Sequence, residues 1–206
     1  MKRSTIVVVA ALALCTGVAV AWLIQQSQPV KLSAGLWFGE QARALPEFEL
    51  INQDGEEFTR DDLSGKWHLI FFGYTHCPDI CPTSLQTMAD MVKAIDDSDV
   101  TKALRVMFVS VDPDRDTPAL LKSYVQYFNP EFIGATGTEA NLQQLTRSIG
   151  ISYFLERESA DQVSYEVSHS SAFVLINPAT QFAGLFSAPH DSNAIAEDLV
   201  KLIERY

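Results

Sequence analysis

Two short apolar runs, each followed by a helical pattern, dominate the hydrophobic profile of residues 45–206. The runs at 68–74 (HLIFFGY) and 104–111 (LRVMFVSV) have the length and composition of buried strands. Apolar positions at helical spacing follow them, reaching about Ile95 after the first run and covering 119–128 after the second. Because a strand–helix–strand–helix order requires parallel pairing of the strands, we predict an α/β domain.

Weaker patterns on either side predict antiparallel additions to this sheet. Residues 48–58 are typical of a hairpin with Asp54-Gly55 at its turn. Three more elements complete the pattern: a helix over 138–149 capped by Thr138 and ended at Gly150, an antiparallel pair over 172–176 and 181–186 around Asn177-Pro178, and a final helix from Asp191 to near Tyr206.

The N-terminal segment is uncharged and apolar over residues 5–24, a length that spans a hydrocarbon core of about 30 Å. Lys2 and Arg3 precede it, and no Lys or Arg follows until Lys31, so the positive-inside rule places the rest of the chain outside the cytoplasm. This interpretation gives four segments: a cytoplasmic N-terminus at 1–4, a single transmembrane signal-anchor at 5–24, a tether at 25–44 and an extracytoplasmic domain at 45–206.

Two other fates of the N-terminal segment stay open. Ala19-Val20-Ala21 supplies small residues at which a signal peptidase could cleave. Cys15 could carry a lipid, but Leu14 before it is large and the apolar run continues, so we interpret Cys15 as a membrane-helix residue. The sequence lacks an Arg- and Ser-rich leader, which favours a bacterial inner membrane with the domain in the periplasm over a mitochondrial setting.

The charge balance excludes one class of partner. The formal net charge is −11, with 15 basic and 26 acidic residues; without Lys2 and Arg3 the balance is 13 against 26, or −13. Nucleic-acid binding needs a basic surface, so an acidic domain of this kind is not expected to bind nucleic acid. Solubility or attraction to a basic partner surface explains the charge.

Cys77 and Cys81 are the only cysteines outside the N-terminal segment, and they lie where the first predicted strand gives way to a helix. The unpaired N–H groups and the dipole at a helix start favour thiolate over thiol, and thiolates carry out redox exchange or bind soft metals. Asp112 follows the second predicted strand, and His169 precedes the strand at 172–176. Because reactive groups gather beyond the carboxyl ends of parallel strands, these four residues are candidates for one site.

A metal site and a redox site both remain possible on this spacing. Two thiolates and a neutral imidazole suit Cu(I) or Cu(II) and would also hold Zn(II), with one position left open, whereas a closed structural zinc site needs four ligands. Cβ atoms four residues apart on a helix lie about 5–6 Å from each other, and a disulfide needs about 3.5–4.5 Å. A bond between Cys77 and Cys81 would therefore distort the first turn, which favours metal binding.

Neighbouring residues have local explanations. We expect His76 to form hydrogen bonds within its loop, and Pro78 and Pro82 to stiffen that loop. Asp116 or Thr117 is expected to cap the helix that starts at Pro118. His190 is expected in a surface loop.

Three segments in order resemble the Sco/SenC family of copper-binding, thioredoxin-like assembly factors for cytochrome c oxidase. They are GYTHCPDICPTSL at 73–85, DPDRDTP at 112–118 and SHSSAFVLINP at 168–178, and the resemblance extends from Leu45 to the C-terminus. It implies a thioredoxin-like fold, a central mixed sheet flanked by helices, here with an N-terminal hairpin extension and a single transmembrane anchor.

The resemblance also implies roles for individual residues. Cys77 and Cys81 match the two copper-binding thiolates and His169 matches the imidazole ligand, with one copper, Cu(I) or Cu(II), per domain. Asp112 matches an acidic residue that lies close to the metal and tunes it without being a ligand. The implied activity is that of a copper chaperone, not an enzyme, which assists metallation of the binuclear copper site of cytochrome c oxidase subunit II. A second copper carrier or a thiol reductant would be a further partner.

Two other functions remain open on the same residues. A thiol-disulfide reductase would use Cys77 as the attacking thiolate and keep the copper-site cysteines of the oxidase reduced. A copper or redox sensor would pass its state to a partner without transferring metal. A peroxidase is a weaker alternative, because this close pair differs from a single peroxidatic cysteine.

Overall fold

The structure is a computed structural model that describes residues 3–26, 30–159, 162 and 164–206, with side chains described for 11–22, 30–159, 162 and 164–206. It divides into two compact units, Met1–Lys31 and Leu32–Tyr206. The first unit contains helix α1 (Arg3–Gln26), which covers the apolar stretch at 5–24. Across the described part of the chain, no helix is long and apolar enough to cross a membrane.

The second unit is built on a large mixed sheet and a separate small one. Its strands, in chain order, are β1 (Gly35–Trp37), β2 (Arg43–Ala44), β3 (Glu49–Asn52), β4 (Glu57–Thr59), β5 (Trp67–Gly73), β6 (Leu104–Ser110), β7 (Ile133–Thr136), β8 (Tyr153–Glu156), β9 (Glu166–His169), β10 (Phe173–Ile176) and β11 (Gln181–Phe186). The large sheet has the order β1-β11-β10-β5-β6-β7-β3-β4, with β2 also paired to β11, and β8 pairs with β9 alone.

Five helices accompany the sheets: α2 (Ile80–Ala94), α3 (Ser98–Ala103), α4 (Pro118–Phe128), α5 (Glu139–Ser148) and α6 (Ser192–Ile203). The predicted caps are confirmed. Thr117 accepts from the Leu120 N–H, Thr138 from the Asn141 N–H and Asp191 from the Ala194 N–H. Each cap satisfies a backbone donor that has no partner within the helix, which fixes where the helix starts.

The centre of the large sheet follows the prediction. Strands β5 and β6 pair in parallel, with Phe71 opposite Phe108, and β6 also pairs in parallel with β7. Strands β10 and β11 form the expected antiparallel pair, and β10 continues the sheet beside β5. Every residue of β5 is buried, as expected of a strand covered on both faces. The prediction of a mixed sheet flanked by helices is therefore confirmed.

The predicted tether at 25–44 is too long. Strands β1 and β2 both pair with β11, and the Ser33 and Ala34 N–H groups donate to the buried carboxylate of Asp198 on α6. The compact unit therefore begins at Leu32, not at residue 45. Strands of three and two residues are too short to produce a periodic signal in the sequence, which explains the error.

The sequence pattern also missed several elements, of which the hairpin of β8 and β9 matters most. Its burial pattern is mixed, because the second sheet has only two strands and leaves one face open. This hairpin ends in His169, so the part of the fold that carries the predicted imidazole was not predicted.

Candidate metal centre

Cys77 and Cys81 lie at the junction between β5 and α2, as predicted. Helix α2 begins at Ile80, so Cys81 is in its first turn, while Cys77 is in the preceding loop and its Sγ accepts from the Cys81 N–H at 3.4 Å. Cys81 is fully buried and Cys77 is 9% exposed. A Cβ atom on Gly73 would lie 2.7 Å from the Cys81 sulfur, so only glycine allows the strand end to pack this closely against the helix.

His169, at the end of β9, meets the two cysteines. Its Nε2 is 3.3 Å from Cys81 Sγ, and one ligand atom each from Cys77, Cys81 and His169 lie within 4.8 Å of one another. Its Nδ1 is 3.0 Å from the Ser170 carbonyl oxygen. Because a carbonyl only accepts, Nδ1 must carry the proton of the neutral ring, and Nε2 keeps its lone pair towards the sulfur.

Burial controls the protonation of this group. It raises the pKa of the Cys81 thiol, although the Tyr74 backbone N–H acts in the opposite direction. It lowers the pKa of His169, against the effect of the Ser170 carbonyl. The expectation that the helix start favours a thiolate is thus wrong for Cys81, because desolvation of the charged sulfur outweighs the helix end. Without metal, a neutral thiol donates to a neutral imidazole.

The donor set fits a soft metal ion. Ligands about 2.0–2.3 Å from an ion lie at most about 4.6 Å apart, which is close to the spacing of this trio. Within the described residues, no fourth Cys, His, Asp or Glu belongs to the group, so it offers three of the four ligands that a closed structural zinc site needs. Neither sulfur is part of a disulfide, so both can lose a proton and act as thiolate ligands.

Asp112 does not join the trio. Its carboxylate is fully buried and accepts two hydrogen bonds of 2.5 Å, one from Arg115 Nε and one from the Tyr165 hydroxyl. It belongs instead to a second group with His76 and Asp116. Its contacts lead to Tyr165, which directly precedes β9.

Asp116 has a role that the sequence did not reveal. Thr117 caps α4, and the Asp116 carboxylate instead accepts from the Thr75 N–H at 2.9 Å, the Thr75 hydroxyl at 2.6 Å and the Ser110 hydroxyl at 2.5 Å. These bonds hold the cysteine loop against the end of β6. The available signal was Asp116 itself. Because Thr117 can cap the helix, this acid had no need to do so.

The two other histidines near the site differ from each other. His76 is exposed, and its Nδ1 lies 3.2 Å from the Thr75 hydroxyl, which confirms hydrogen bonding within its loop. His190 lies in a loop before α6, as expected, but it is half-buried and has fixed contacts. Its ring stacks on Phe173 at 3.7 Å between centroids, and its Nε2 donates to the Ser171 carbonyl at 2.8 Å.

Two known proteins are similar in sequence to this chain. The chain is 35% identical over 162 residues to a "Putative copper-binding protein" of Stutzerimonas stutzeri, covering 79% of this chain and 78% of that protein. It is 36% identical over 159 residues to "Protein SCO1 homolog 1, mitochondrial" of Arabidopsis thaliana, covering 77% of this chain but only 47% of the plant protein.

Solved structures share the fold. The copper-bound crystal structure of ScoI from Arabidopsis thaliana matches with a TM-score of 0.71 and 34% identity, over 79% of this chain and 99% of that one. Copper-bound yeast Sco1 matches with a TM-score of 0.72 and 30% identity, over 80% and 90% of the two chains. The SCO1/SenC family model matches residues 39–204. The chain therefore belongs to the SCO1/SenC family and has its thioredoxin-like fold.

Proposed function

We propose that this protein binds one copper ion through Cys77 Sγ, Cys81 Sγ and His169 Nε2 and delivers it to the binuclear copper site of cytochrome c oxidase subunit II. The observation that carries the proposal is the trio itself, three soft donor atoms within 4.8 Å of one another. The copper in the matching ScoI and Sco1 structures supports the choice of metal.

The chemistry of the trio suits a metal that must leave again. His169 presents a ready lone pair, while each thiol has to lose its proton when copper binds, so binding releases protons and strengthens as pH rises. Three protein ligands leave a position at which a ligand from the partner can enter before the copper departs. Cys77 is the more accessible sulfur, since Cys81 is fully buried, and transfer would begin on the Cys77 side.

We propose a bacterial periplasmic setting, with a single anchor over residues 5–24 and the compact unit outside the cytoplasm. The uncharged run that follows Lys2 and Arg3 supports this arrangement. Subunit II of the oxidase exposes its copper site on that side of the membrane in this proposal, and a copper carrier or thiol reductant would load or reduce the protein there.

Copper transfer tests the chaperone proposal. Full-length reduced protein in detergent, loaded with one equivalent of Cu(I), is mixed with an apo fragment of subunit II, and copper is measured in each after separation. We expect stoichiometric transfer from the wild type, none from Cys77→Ser or Cys81→Ser because neither holds copper, and normal transfer from the control Cys15→Ser. Full copper binding by the double variant Cys77→Ser/Cys81→Ser would refute the ligand set. Binding without transfer would refute delivery and favour a sensor.

A second candidate function, a thiol-disulfide reductase, has one specific observation in its favour. Cys77 is partly exposed and Cys81 lies buried behind it, which is the arrangement of an attacking thiol and a resolving thiol. The Cys77 thiolate would attack a partner disulfide and Cys81 would displace the partner, so two thiols here are oxidised as one disulfide there is reduced. Reduction of an oxidised subunit II fragment that persists in His169→Ala would establish this role.

A further inference from the structure

The hairpin of β8 and β9 is attached to the domain mainly through side chains. Its two strands pair only with each other, so no strand-to-strand ladder between the described strands ties His169 to the large sheet. The chain itself joins the two, since β10 of the large sheet begins at Phe173, four residues after His169. The cysteine loop is likewise joined to the buried β5. The His169 ring packs on Phe71 of β5, with centroids 5.7 Å apart, so this end of the hairpin has contacts of its own. The other end, where β9 starts, must be held by contacts along the hairpin.

Arg115 is at the centre of those contacts. Its Nε donates to Asp112 Oδ2 at 2.5 Å, and its Nη1 donates to the Tyr165 carbonyl oxygen at 3.0 Å. The guanidinium carbon lies 3.6 Å from the centroid of the Tyr165 ring, a close cation–π contact. The Tyr165 hydroxyl then donates to the other oxygen of Asp112, which closes a ring of three residues. We call Asp112, Arg115 and Tyr165 the hairpin latch.

The side chains of the hairpin latch are largely buried, so their polar groups must bond to one another and not to water. Asp112 is fully buried, Tyr165 is 8% exposed, and the Arg115 side chain is 14% exposed. The desolvation of a buried ion pair cancels much of its attraction, so such a pair contributes little net stability. Arg115 has a buried Nη2 with no hydrogen-bond partner among the residues that the structure describes. Its bonds are better explained by the placement of the hairpin than by the stability of the fold.

One further contact links the hairpin to the cysteine side. The Tyr74 hydroxyl donates to Glu166 Oε2 at 2.8 Å, and the edge of the Tyr74 ring faces His169 with centroids 6.0 Å apart. Arg115 also lies near this ring, 5.7 Å from its centroid. Tyr165 and Glu166 are adjacent, so both contacts hold the same point of the chain, four and three residues before His169.

We propose that Arg115 is a positioning residue for His169: through Asp112 and Tyr165 it fixes the start of β9, so that His169 Nε2 faces the two sulfurs. The inference rests on the proposed copper site and adds the group that assembles it. Loss of Arg115 would release the hairpin and remove the nitrogen ligand while the two cysteines stay in place.

Four variants of the full chain test this positioning role. They are Arg115→Ala, His169→Ala, the two combined, and Arg157→Ala as the matched control. Arg157 is a cation of the same hairpin that pairs with Asp114 at 2.5 Å and not with Asp112. Its guanidinium lies 5.4 Å from the Tyr165 ring centroid, compared with 3.6 Å for Arg115, so it keeps only the weaker of the two ring contacts. Cu(I) affinity is measured by competition, nitrogen coupling in the Cu(II) EPR spectrum reports the imidazole ligand, and ring-nitrogen NMR shifts of His169 report its surroundings in the metal-free protein.

We expect Arg115→Ala to bind copper about 10- to 100-fold more weakly, as is usual when the partner of a metal ligand is lost. It should also lose the nitrogen coupling and shift the His169 resonances. Combined with His169→Ala it should add no further loss, because both changes remove the same ligand. Arg157→Ala removes an exposed ion pair and a longer ring contact, so it should weaken copper binding far less than Arg115→Ala and keep the nitrogen coupling. Tyr165→Phe, which removes one hydroxyl and keeps the ring, should show a smaller effect in the same direction, and it decides the question if Arg115→Ala does not fold.

Two results would overturn the positioning role. One is an equal loss of affinity from Arg115→Ala with and without His169, which would place its effect on the cysteines or the whole fold. The other is an unchanged set of His169 resonances in the metal-free Arg115→Ala protein. If His169→Ala itself leaves affinity and EPR spectrum unchanged, the proposed ligand set is wrong, and the resonances still decide whether Arg115 positions the ring.

Discussion

The sulfur half and the imidazole half of the site are held in different ways. Cys77 and Cys81 follow a fully buried strand and pack against its end. His169 ends a separate two-stranded sheet, whose start is held by polar side chains and whose end continues into β10. One short segment serves both halves. Asp116 binds the cysteine loop through Thr75, and Asp112 binds the hairpin through Arg115 and Tyr165. A substitution can therefore disrupt the cysteine loop without disrupting the hairpin, or the reverse.

The largest effect is expected from Asp116→Ala, which removes the anchor of the sulfur half. Thr75 N–H, the Thr75 hydroxyl and the Ser110 hydroxyl would lose their shared acceptor. An unsatisfied buried donor costs about 1–3 kcal/mol, so we expect unfolding to require at least about 3 kcal/mol less free energy. Urea denaturation measures this, together with a loss of copper binding.

Asp114→Ala is the control for this change. Asp114 lies in the same segment, but its carboxylate is exposed and pairs with Arg157, so a change within about 1 kcal/mol is expected. If Asp116→Ala were no less stable than Asp114→Ala, the buried bonds would not be what holds the cysteine loop.

The next effect concerns the strand beneath the sulfur half and depends on pH. His68 on β5 is buried, and burial lowers its pKa to about 4, aided by the nearby Arg105 charge and opposed by a backbone bond to Lys66. In the unfolded chain His68 has its ordinary pKa of 6.5, so between pH 6.5 and 4 it is protonated there but stays neutral in the folded chain. Stability is therefore full above pH 6.5 and falls by about 3 kcal/mol as pH drops from 6.5 to 4.

Urea denaturation at several pH values measures the contribution of His68. His68→Gln cannot titrate there, so its stability should change less between pH 6.5 and 4 than that of the wild type, and the difference isolates this residue. Parallel curves for the two proteins would contradict the prediction.

A smaller effect is expected from Gly73→Ala, which acts on the contact between strand and sulfur. The new Cβ would lie 2.7 Å from Cys81 Sγ and 2.9 Å from a ring carbon of Phe108, so both must shift. Overpacking of this kind costs about 2 kcal/mol, and displacement of the sulfur should weaken copper binding as well. Thermal unfolding and copper competition measure the two effects.

Gly134→Ala offers the comparison for Gly73. It lies in the same sheet on β7, but its new Cβ would meet its nearest neighbour at 3.2 Å. We expect a milder loss of stability and unchanged copper affinity. Equal effects on copper from both alanines would show that the site responds to general strain and not to the contact at Gly73.

The difference between the halves also explains what the sequence could predict. The strand at 68–74, the cysteine pair and the caps at Thr138 and Asp191 depend on local patterns, and the structure contains them where expected. The hairpin of β8 and β9 has only four residues in each strand and a mixed burial pattern, so it leaves little periodic signal. His169 was found through the motif that contains it, not through the element that carries it.

Protonation was a second point at which local reasoning failed. A helix start lowers the pKa of a thiol when the sulfur remains near solvent. Cys81 is fully buried beneath β5 and the hairpin, and that depth depends on packing between distant parts of the chain. No pattern around residue 81 could reveal it, which is why the predicted thiolate is a thiol in the metal-free fold.

The spacing between Asp112 and Asp116 has a consequence for variation among relatives of this chain. Asp116 binds Thr75 of the cysteine loop, and Asp112 binds Tyr165 of the hairpin. The number of residues between the two aspartates therefore sets the distance between these two anchors. A single insertion or deletion there would displace one anchor whichever way the segment relaxed. The length of this segment should accordingly tolerate less change than the identity of its exposed member, Asp114, and libraries that vary the two independently would show it.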